Sequence, residues 1–446
     1  RMDGKNRKKR CCLVFLRSSS PAMKTSNALF VYFLTGIVAF SQGKPTSDPL
    51  AYPRQIVKQL CSPAMEGRGY VRSGCQKAAR FLKQEFQTMG LLEYRGVSTQ
   101  PFKLSVNTFP KACKLRFGWK NKKPGIDFIV NPSSGGYAGH LKVLSLNAQE
   151  ILQYPFGKSM NRGYILSFVP RLGISADTLK MVRLKLEKLA RIELPVLEFT
   201  REKLTWSVSS ETFKYPYVQC ILSTNDACPK QIHLKIDAVY KENITVENVF
   251  GYIPSKNPSD SLIVLCAHYD HLGRMGRKTY FPGGNDNASG VGMLLSVAKK
   301  LKRTPLEKYN VLCIAFAGEE IGLVGSQAFL ESPLLDRSKV SMVLNMDIMG
   351  SGEEGITVVN GSVYTGLFDR LVKINQTYGL LKAIKPRGKA ANSDHFVFSN
   401  AGIPALFIYT MGENKNYHDV KDTYDALSFS AFNALETLVL TFLKSF

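Results

Sequence analysis

From about residue 245 onward, the chain alternates wholly apolar segments with segments of helical periodicity. Four apolar segments are typical of strands: SLIVLCA (261–267), NVLCIAFA (310–317), SMVLNM (341–346) and IPALFIY (403–409). Between the first two lies GVGMLLSVAKKL (290–301), which has the apolar spacing of a helix. Such alternation is typical of a sheet that is buried on both faces by helices. We therefore predict an α/β fold whose mostly parallel mixed sheet is flanked by helices.

Imidazoles and carboxylates follow these strands almost at once. The residues concerned are His268 and Asp270, Glu319 and Glu320, Asp347, and the pair Tyr417 and His418, while Asp286 lies in the turn GGNDNASG (283–290) before the predicted helix. Loops beyond the carboxyl ends of parallel strands meet in one crevice. Carboxylates buried together there would repel one another, and a divalent cation would remove that repulsion. Imidazole and carboxylate ligands without thiolates suit zinc, or a cobalt or manganese substitute, in a hydrolytic site.

Each of these residues also has a simpler structural explanation when it is taken singly. His268 could be a buried core histidine and Asp347 a helix cap. Asn, Asp and Gly are common in turns, which would account for Asp286 without any chemistry. The arrival of all of them in order after apolar strands is what favours a metal site.

Six segments resemble the M28 family of zinc peptidases, which comprises aminopeptidases with two catalytic metals and related carboxypeptidases. They are AHYDHLG (267–273), GGNDNASG (283–290), AGEEIGLVGS (317–326), NMDIMG (345–350), SDHF (393–396) and YH (417–418). The resemblance covers roughly 245–446 and, more loosely, 50–100. The segment RIELPVLEFTREKL (191–204) resembles, weakly, the protease-associated module often found in this family.

The resemblance implies two zinc ions bridged by Asp286. One ion would add His268 and Asp347 as ligands, and the other would add Glu320 and His418. It also implies that the peptide bond after Asp286 is cis.

Three further roles come with the resemblance. Glu319 matches the general base, and Asp270 matches the acid that orients a metal-bound imidazole. Tyr417 could donate a hydrogen bond to the oxyanion, although a packing aromatic at a strand end is the alternative. Asp394 and His395 are expected near the site, with a helix start capped by Ser393 as the alternative.

The expected function is that of a secreted metallo-exopeptidase that hydrolyses N-terminal residues from peptides. Two zinc ions would activate the water, and Glu319 would act as general base. A carboxypeptidase or dipeptidase, or a glutaminyl-cyclase-like enzyme with a single zinc, is the alternative within the same fold. A non-catalytic receptor-like protein is a further alternative, but such proteins lose metal ligands, and this chain keeps all five together with the base.

Changes of composition divide the chain into regions. We predict the N-terminal part of the peptidase domain at 48–104, an inserted β-rich, protease-associated-like domain at 105–240, and the catalytic domain at 241–446. The insert contains short strand-like segments, HLKVLSL, GYILSFVP, LPVLEFT and IHLKIDAVY, around one helix candidate near 177–190.

The N-terminus has the pattern of a targeting segment. Lys24 is followed by the apolar run 28–40 and then by small residues at the spacing of a cleavage site, which predicts a signal peptide at 23–41. Residues 1–22 are interpreted as an upstream extension that is not native. A membrane anchor is the alternative, but this run of 13 residues is too short for a comfortable membrane span, and no other stretch approaches the required length. The expected product is secreted or periplasmic, with no stable membrane span after signal cleavage.

The net charge of the whole chain is +24. Residues 1–41 contain eight Lys/Arg and one Asp, so the chain without them has a net charge of +17. The basic residues are scattered without an aromatic-interleaved pattern, which argues against nucleic acid as a partner. We interpret the charge as colloidal or related to anionic surfaces. Among the cysteines, Cys266 and Cys313 are expected to be buried thiols. Two pairs, Cys61 with Cys75 and Cys220 with Cys228, could form disulfides in an oxidising compartment.

Overall fold

A computed structural model describes residues 48–157, 163–222 and 228–446. The predictions of an upstream extension at 1–22 and a signal peptide at 23–41 lie outside these residues. Within the described ranges, no helix combines the length and apolar character that crossing a membrane requires.

The helices are α1 (Ala51–Cys61), α2 (Gly74–Thr88), α3 (Ala148–Leu152), α4 (Ala176–Ile192), α5 (Gly290–Arg303), α6 (Val324–Leu330), α7 (Thr365–Tyr378), α8 (His395–Asn400) and α9 (Phe432–Lys444). The strands are β1 (Thr99–Thr108), β2 (Cys113–Phe117), β3 (Lys120–Lys122), β4 (Phe128–Val130), β5 (Tyr137–Leu146), β6 (Tyr164–Phe168), β7 (Val196–Thr200), β8 (Tyr217–Ile221), β9 (Gln231–Ile236), β10 (Val239–Ile253), β11 (Leu262–His268), β12 (Arg274–Met275), β13 (Thr279–Tyr280), β14 (Asn310–Phe316), β15 (Val340–Met346), β16 (Gly355–Val359), β17 (Ile384–Arg387) and β18 (Ala405–Met411).

The main sheet has eight strands in the order β1-β10-β14-β11-β15-β18-β16-β17. Its four central strands, β14, β11, β15 and β18, are mutually parallel, and antiparallel pairs lie on both sides of them. All four correspond to the apolar segments predicted as strands. One face packs under α1, α2, α5, α7 and α9, and the other packs under α6 and α8. The predicted mixed α/β sheet flanked by helices is confirmed.

Helix α2 shows how local spacing determines an element. Ala78, Leu82 and Phe86 recur every four residues, and all three side chains are buried against the sheet. The helix stops two residues before Gly90, whose φ of +72° lies in the left-handed region that glycine adopts without strain.

A second sheet of eight strands, in the order β3-β2-β9-β5-β6-β7-β8-β4, is formed by the chain between β1 and β10. One face packs against α3 and α4. The other shares an apolar cluster with Leu272, Met275 and Phe281, which belong to the segment after β11. β1 continues in the main sheet to Thr108, past residue 105 where the insert was predicted to begin. The 15-residue strand β10, in which the chain returns to the main sheet, was not predicted.

Cys266 and Cys313 are buried thiols in β11 and β14, as expected. Cys61 and Cys75 are also buried thiols, and Cys228 is a thiol, so neither of the suggested pairs is bridged. The Sγ atom of Cys75 instead lies 3.6 Å from the hydroxyl of Tyr269.

Candidate active site

The residues predicted after the strands gather at one edge of the main sheet. β11 ends on His268, Asp347 directly follows β15, and Glu319 and Glu320 follow β14 by three and four residues. Because β14, β11 and β15 are parallel neighbours, their carboxyl ends lie side by side. The loop after β18, the next parallel strand, carries His418 to the same edge.

The imidazole of His268 lies between carboxylates. Its Nε2 is 3.3 Å from Asp286 Oδ1 and 3.4 Å from Asp347 Oδ2, with Glu319 Oε2 3.9 Å away. Its Nδ1 donates to the carbonyl oxygen of Asp270 at 3.1 Å. This bond holds the ring with Nε2 directed toward the acids.

The imidazole of His418 is held in the same way on the other side of Asp286. Its Nε2 is 3.1 Å from Asp286 Oδ2 and 3.1 Å from Glu320 Oε2. Its Nδ1 donates to the carbonyl oxygen of Trp206 at 2.7 Å. The two oxygens of Asp286 therefore face two different imidazoles, and each imidazole also has a second carboxylate beside it.

The side chains of two distant residues hold the turn that carries Asp286 through hydrogen bonds to its backbone. The fully buried guanidinium of Arg68 donates to the carbonyl oxygens of Pro282, Gly283 and Asp286. The carboxylate of Asp422 accepts from the backbone N–H groups of Asn285 and Asp286 at 2.9–3.0 Å. These contacts explain the first glycine of GGNDNASG. A Cβ on Gly283, whose φ is +58°, would lie 2.5 Å from Arg68 Nη2.

The two asparagines of the turn join it to the loop after β15. Asn285 Oδ1 accepts from the N–H of Gly350 at 2.8 Å, and Asn287 Nδ2 donates to the carbonyl of Met346 at 3.1 Å. The peptide bond between Asp286 and Asn287 is cis, as the resemblance implied. Polar residues in this turn thus set the position of Asp286 relative to Asp347, which follows Met346.

Adjacent glutamates in the cluster have opposite pKa shifts. Burial raises the pKa of Glu319 well above its usual value despite the opposing charge of His268. Burial would also raise the pKa of Glu320, but the charge of His418 and a hydrogen bond from His271 lower it to about 2. Burial disfavours the charged form of His418, yet Glu320 and Asp286 raise its pKa to about 11. Glu320 is thus ionised near neutral pH, whereas Glu319 is suited to take up a proton.

The other predicted residues have distinct surroundings. Asp270 is fully buried and accepts from the hydroxyl of Tyr70 at 2.9 Å and from the N–H of Glu319 at 3.2 Å. Tyr417 is half exposed, and its ring stacks on that of His418 at 3.9 Å between centroids.

The segment around Asp394 also contacts the cluster. The Ser393 hydroxyl donates to Asp347 Oδ2 at 3.1 Å and accepts from Asn345, so it does not cap the short helix α8. Asp394 is fully buried, and burial raises its pKa to about 7. The ring of His395 packs against Phe407.

Three residues that build this site had no role assigned from the sequence: Arg68, His271 and Asp422. His271 Nδ1 lies 2.6 Å from Glu320 Oε1. As a second imidazole within AHYDHLG, it could have been suspected from the sequence. The contacts of Arg68 and Asp422 with the turn that carries Asp286 join residues at least 136 positions apart, which no local sequence pattern indicates.

The donor set fits divalent metal ions. Two overlapping groups, His268 with Asp286 and Glu320, and His268 with Glu319 and Asp347, have ligand atoms within 4.8 Å of one another. Asp347 Oδ1 and His418 Nε2 are buried, and among the described residues neither atom makes a hydrogen bond of acceptable geometry, although two carboxylate oxygens lie 3.1 Å from His418 Nε2. Buried polar atoms of this kind usually have a partner, and a cation among the carboxylates would supply one.

Comparison with known proteins gives the family of this region. The model of peptidase family M28 matches residues 248–443. Aminopeptidase YwaD of Bacillus subtilis is 30% identical over 212 residues, which are 45% of this chain and 44% of that protein. A probable leucine aminopeptidase of Arthroderma otae is 32% identical over 189 residues, 40% of this chain and 52% of that protein. The chain spans about half the length of these curated relatives.

The fold also matches that of a solved structure over most of the chain. BSAP, a zinc aminopeptidase from Bacillus subtilis, aligns with 88% of this chain and 94% of its own at a TM-score of 0.66 and 18% identity. At this identity the match supports the shared α/β fold alone. The family model agrees with what the sequence motifs implied: residues 248–443 of this chain match peptidase family M28.

Proposed function

We propose that this chain is a secreted metallo-exopeptidase that removes N-terminal residues from peptides and holds two zinc ions. The observation that carries the proposal is the arrangement around Asp286, whose Oδ1 faces His268 and whose Oδ2 faces His418. Asp347 lies beside the first imidazole and Glu320 beside the second. Relatives by sequence are named aminopeptidases, which supports hydrolysis of the peptide bond next to the N-terminus.

The same five residues are the proposed zinc ligands. Asp286 is shared, His268 and Asp347 complete one set, and Glu320 and His418 complete the other. Zinc bound there would supply Lewis acidity, which lowers the pKa of water and polarises the carbonyl of the scissile bond.

Glu319 is the proposed general base. Its carboxylate borders the cluster 3.9 Å from His268 Nε2. A pKa raised by burial lets it accept a proton from the attacking water and then deliver that proton to the leaving amine.

Asp270 and Tyr417 are proposed to assist. Asp270 orients His268 through its backbone carbonyl, and its carboxylate holds the backbone of Glu319. Partial burial and the carboxylates of Asp286 and Glu320 raise the pKa of Tyr417, so its hydroxyl keeps its proton and can donate to the developing oxyanion.

The division into a peptidase domain at 48–104 and 241–446 with a protease-associated-like insert at 105–240 is part of the proposal. Two contacts support a role for the insert at the site. Trp206 binds His418 through its carbonyl, and Lys203 Nζ donates to the carbonyls of Lys415 and Tyr417 at 2.7 Å.

A peptide library with free and acetylated N-termini tests the proposal, together with the zinc content of the purified protein. We expect about two zinc ions per chain, loss of hydrolysis in the presence of a chelator, recovery with added zinc, and cleavage of free N-termini only. Equal cleavage of acetylated peptides would instead indicate the carboxypeptidase or dipeptidase alternative. Absence of hydrolysis with both zinc ions bound would favour a receptor-like protein.

Two substitutions separate metal binding from proton transfer. Glu319→Gln should retain zinc but lower kcat by about 10²–10⁴-fold. Exposed Glu331→Gln is the matched control and should leave kcat unchanged. Asp286→Ala should lose both ions, and full zinc occupancy in that variant would exclude a bridging role.

A further inference from the structure

A cavity with a volume of about 820 Å³ lies between the second sheet and the β12–β13 hairpin, away from the candidate active site. Its lining comes from three separate stretches of the chain: residues 111–126, the end of β9, and residues 275–279. The apolar residues of the lining include Leu115, Met275 and Ile126. None of the proposed zinc ligands contributes to it.

The lining is strongly cationic. Six exposed basic side chains contribute to it: Lys111, Lys114, Lys123, Lys235, Arg277 and Lys278. In the sequence these residues looked scattered, and only folding brings the three stretches together. Across the part of the chain that the structure describes, none of the six forms an ion pair.

The lining contains a single acidic residue against these six cations, so its charge is not balanced from within. Lys114 and Lys235 are direct partners across β2 and β9, a like-charge pairing that costs stability. Asp237, the acidic residue of the lining, already accepts from the N–H of Ala112 at 2.8 Å. Like charges concentrated in a concave surface create a positive potential that attracts anions.

The walls of the cavity suit an extended polypeptide. β3 is an edge strand with β2 as its neighbour, and the two-stranded β12–β13 hairpin forms another wall. Edge strands can bind an extended peptide by adding it as a further strand.

We propose that this cavity binds an extended, acidic segment of polypeptide, with carboxylates of the ligand paired to the six cations. The concave lining and the edge strand in its wall favour a chain-like ligand over a flat bilayer. The site does not use the proposed zinc ligands, so binding here is independent of hydrolysis.

The test measures binding directly by fluorescence anisotropy on the full chain. The probe is an N-acetylated, C-terminally labelled peptide of alternating Glu and Ala, and its neutral counterpart has Gln in place of Glu. We expect the acidic peptide to bind, the neutral one not to, and the affinity to fall as salt rises. Charge reversal by K114E, K235E and R277E together should weaken binding at least tenfold. The matched control is the triple variant K373E, K382E and K385E, which changes the net charge by the same amount. These lysines lie at or near β17, an edge strand of the main sheet, so the control should alter Kd less than twofold.

Several outcomes would overturn the proposal. Equal weakening in both triple variants would assign the binding to net charge alone. Absence of binding to the acidic peptide, or cavity-dependent binding of phosphatidylserine vesicles but not of the peptide, would exclude a polypeptide site. If the reversed variant unfolds, Lys114→Gln with Lys235→Gln removes two charges without reversal and should still weaken binding severalfold. Measurement on Glu319→Gln, which should bind the peptide normally, separates this site from the proposed peptidase function.

Discussion

Arg68 ties the N-terminal segment to the turn that carries Asp286, and its replacement by lysine is expected to destabilise the protein. The guanidinium is fully buried and donates five hydrogen bonds to carbonyl oxygens. The acceptors are Tyr269 (2.8 Å), Leu60 (3.1 Å), Pro282 (2.6 Å), Gly283 (2.8 Å) and Asp286 (3.3 Å).

The size of the effect follows from the donor count. A lysine ammonium has three N–H donors at one point, whereas arginine has five in a planar fork. At least two of the five buried carbonyls would therefore lose their partner in Arg68→Lys. Because each such loss costs about 1–3 kcal/mol, the free energy of unfolding should fall by about 2–6 kcal/mol.

Urea unfolding followed by circular dichroism, with a chelator present, measures this loss without a contribution from bound metal. The matched control is Arg54→Lys, since Arg54 is partly exposed, forms an ion pair with Asp48 and lies over the ring of Phe429, contacts that a lysine can also make. It should change stability by less than about 0.5 kcal/mol. A loss below about 1 kcal/mol in Arg68→Lys would show that the five bonds do not hold the turn as argued.

Three further substitutions test other parts of the site. Gly290→Ala would place a Cβ 2.1 Å from Asn287 Oδ1 and 2.4 Å from the carbonyl oxygen of Met346. The free energy of unfolding, measured in urea, should therefore fall by about 3 kcal/mol or more. The control is Gly366→Ala, whose Cβ would meet no described atom within 4 Å and should leave stability almost unchanged. Burial lowers the pKa of His395 from 6.5 to about 4, so the unfolded chain takes up the proton first and stability is lost as pH falls from about 6.5 to 4. His395→Gln should remove about 3 kcal/mol of that loss, as measured by urea unfolding at pH 7 and pH 4; equal acid sensitivity in both proteins would contradict it. Lys203→Met removes two bonds to the loop of His418 and should weaken zinc binding about tenfold in competition with a chelator, whereas unchanged affinity would show that the insert does not position this loop.

The elements of the central sheet could be predicted because their signal is local. SMVLNM, predicted at 341–346, lies within β15, and SLIVLCA differs from β11 by one residue at each end. A strand buried on both faces must be apolar throughout, so its sequence alone identifies it. Strand β10 was not predicted because its first half, VYKENIT, is mostly exposed and polar. Its place in the sheet is determined by pairing with β1 and β14, which are distant in the sequence.

The cluster at the sheet edge was predictable for a similar reason. Parallel strands end at one edge, so residues that directly follow them, such as His268 and Asp347, must come close together. Which oxygen of Asp286 faces which imidazole, and that His271 binds Glu320, depend on side-chain directions that sequence spacing does not contain.

What the sequence determined by itself is the alternation of strands and helices and the chemical type of the residues at their ends, because both follow from the character of neighbouring residues. Only the tertiary structure decided that Arg68 holds residues 282–286, that Trp206 of the second sheet's region fixes His418, and that six scattered cations face one cavity. The physical reason is that these contacts join stretches of the chain that are at least 38 positions apart, so their geometry arises only when the core has packed.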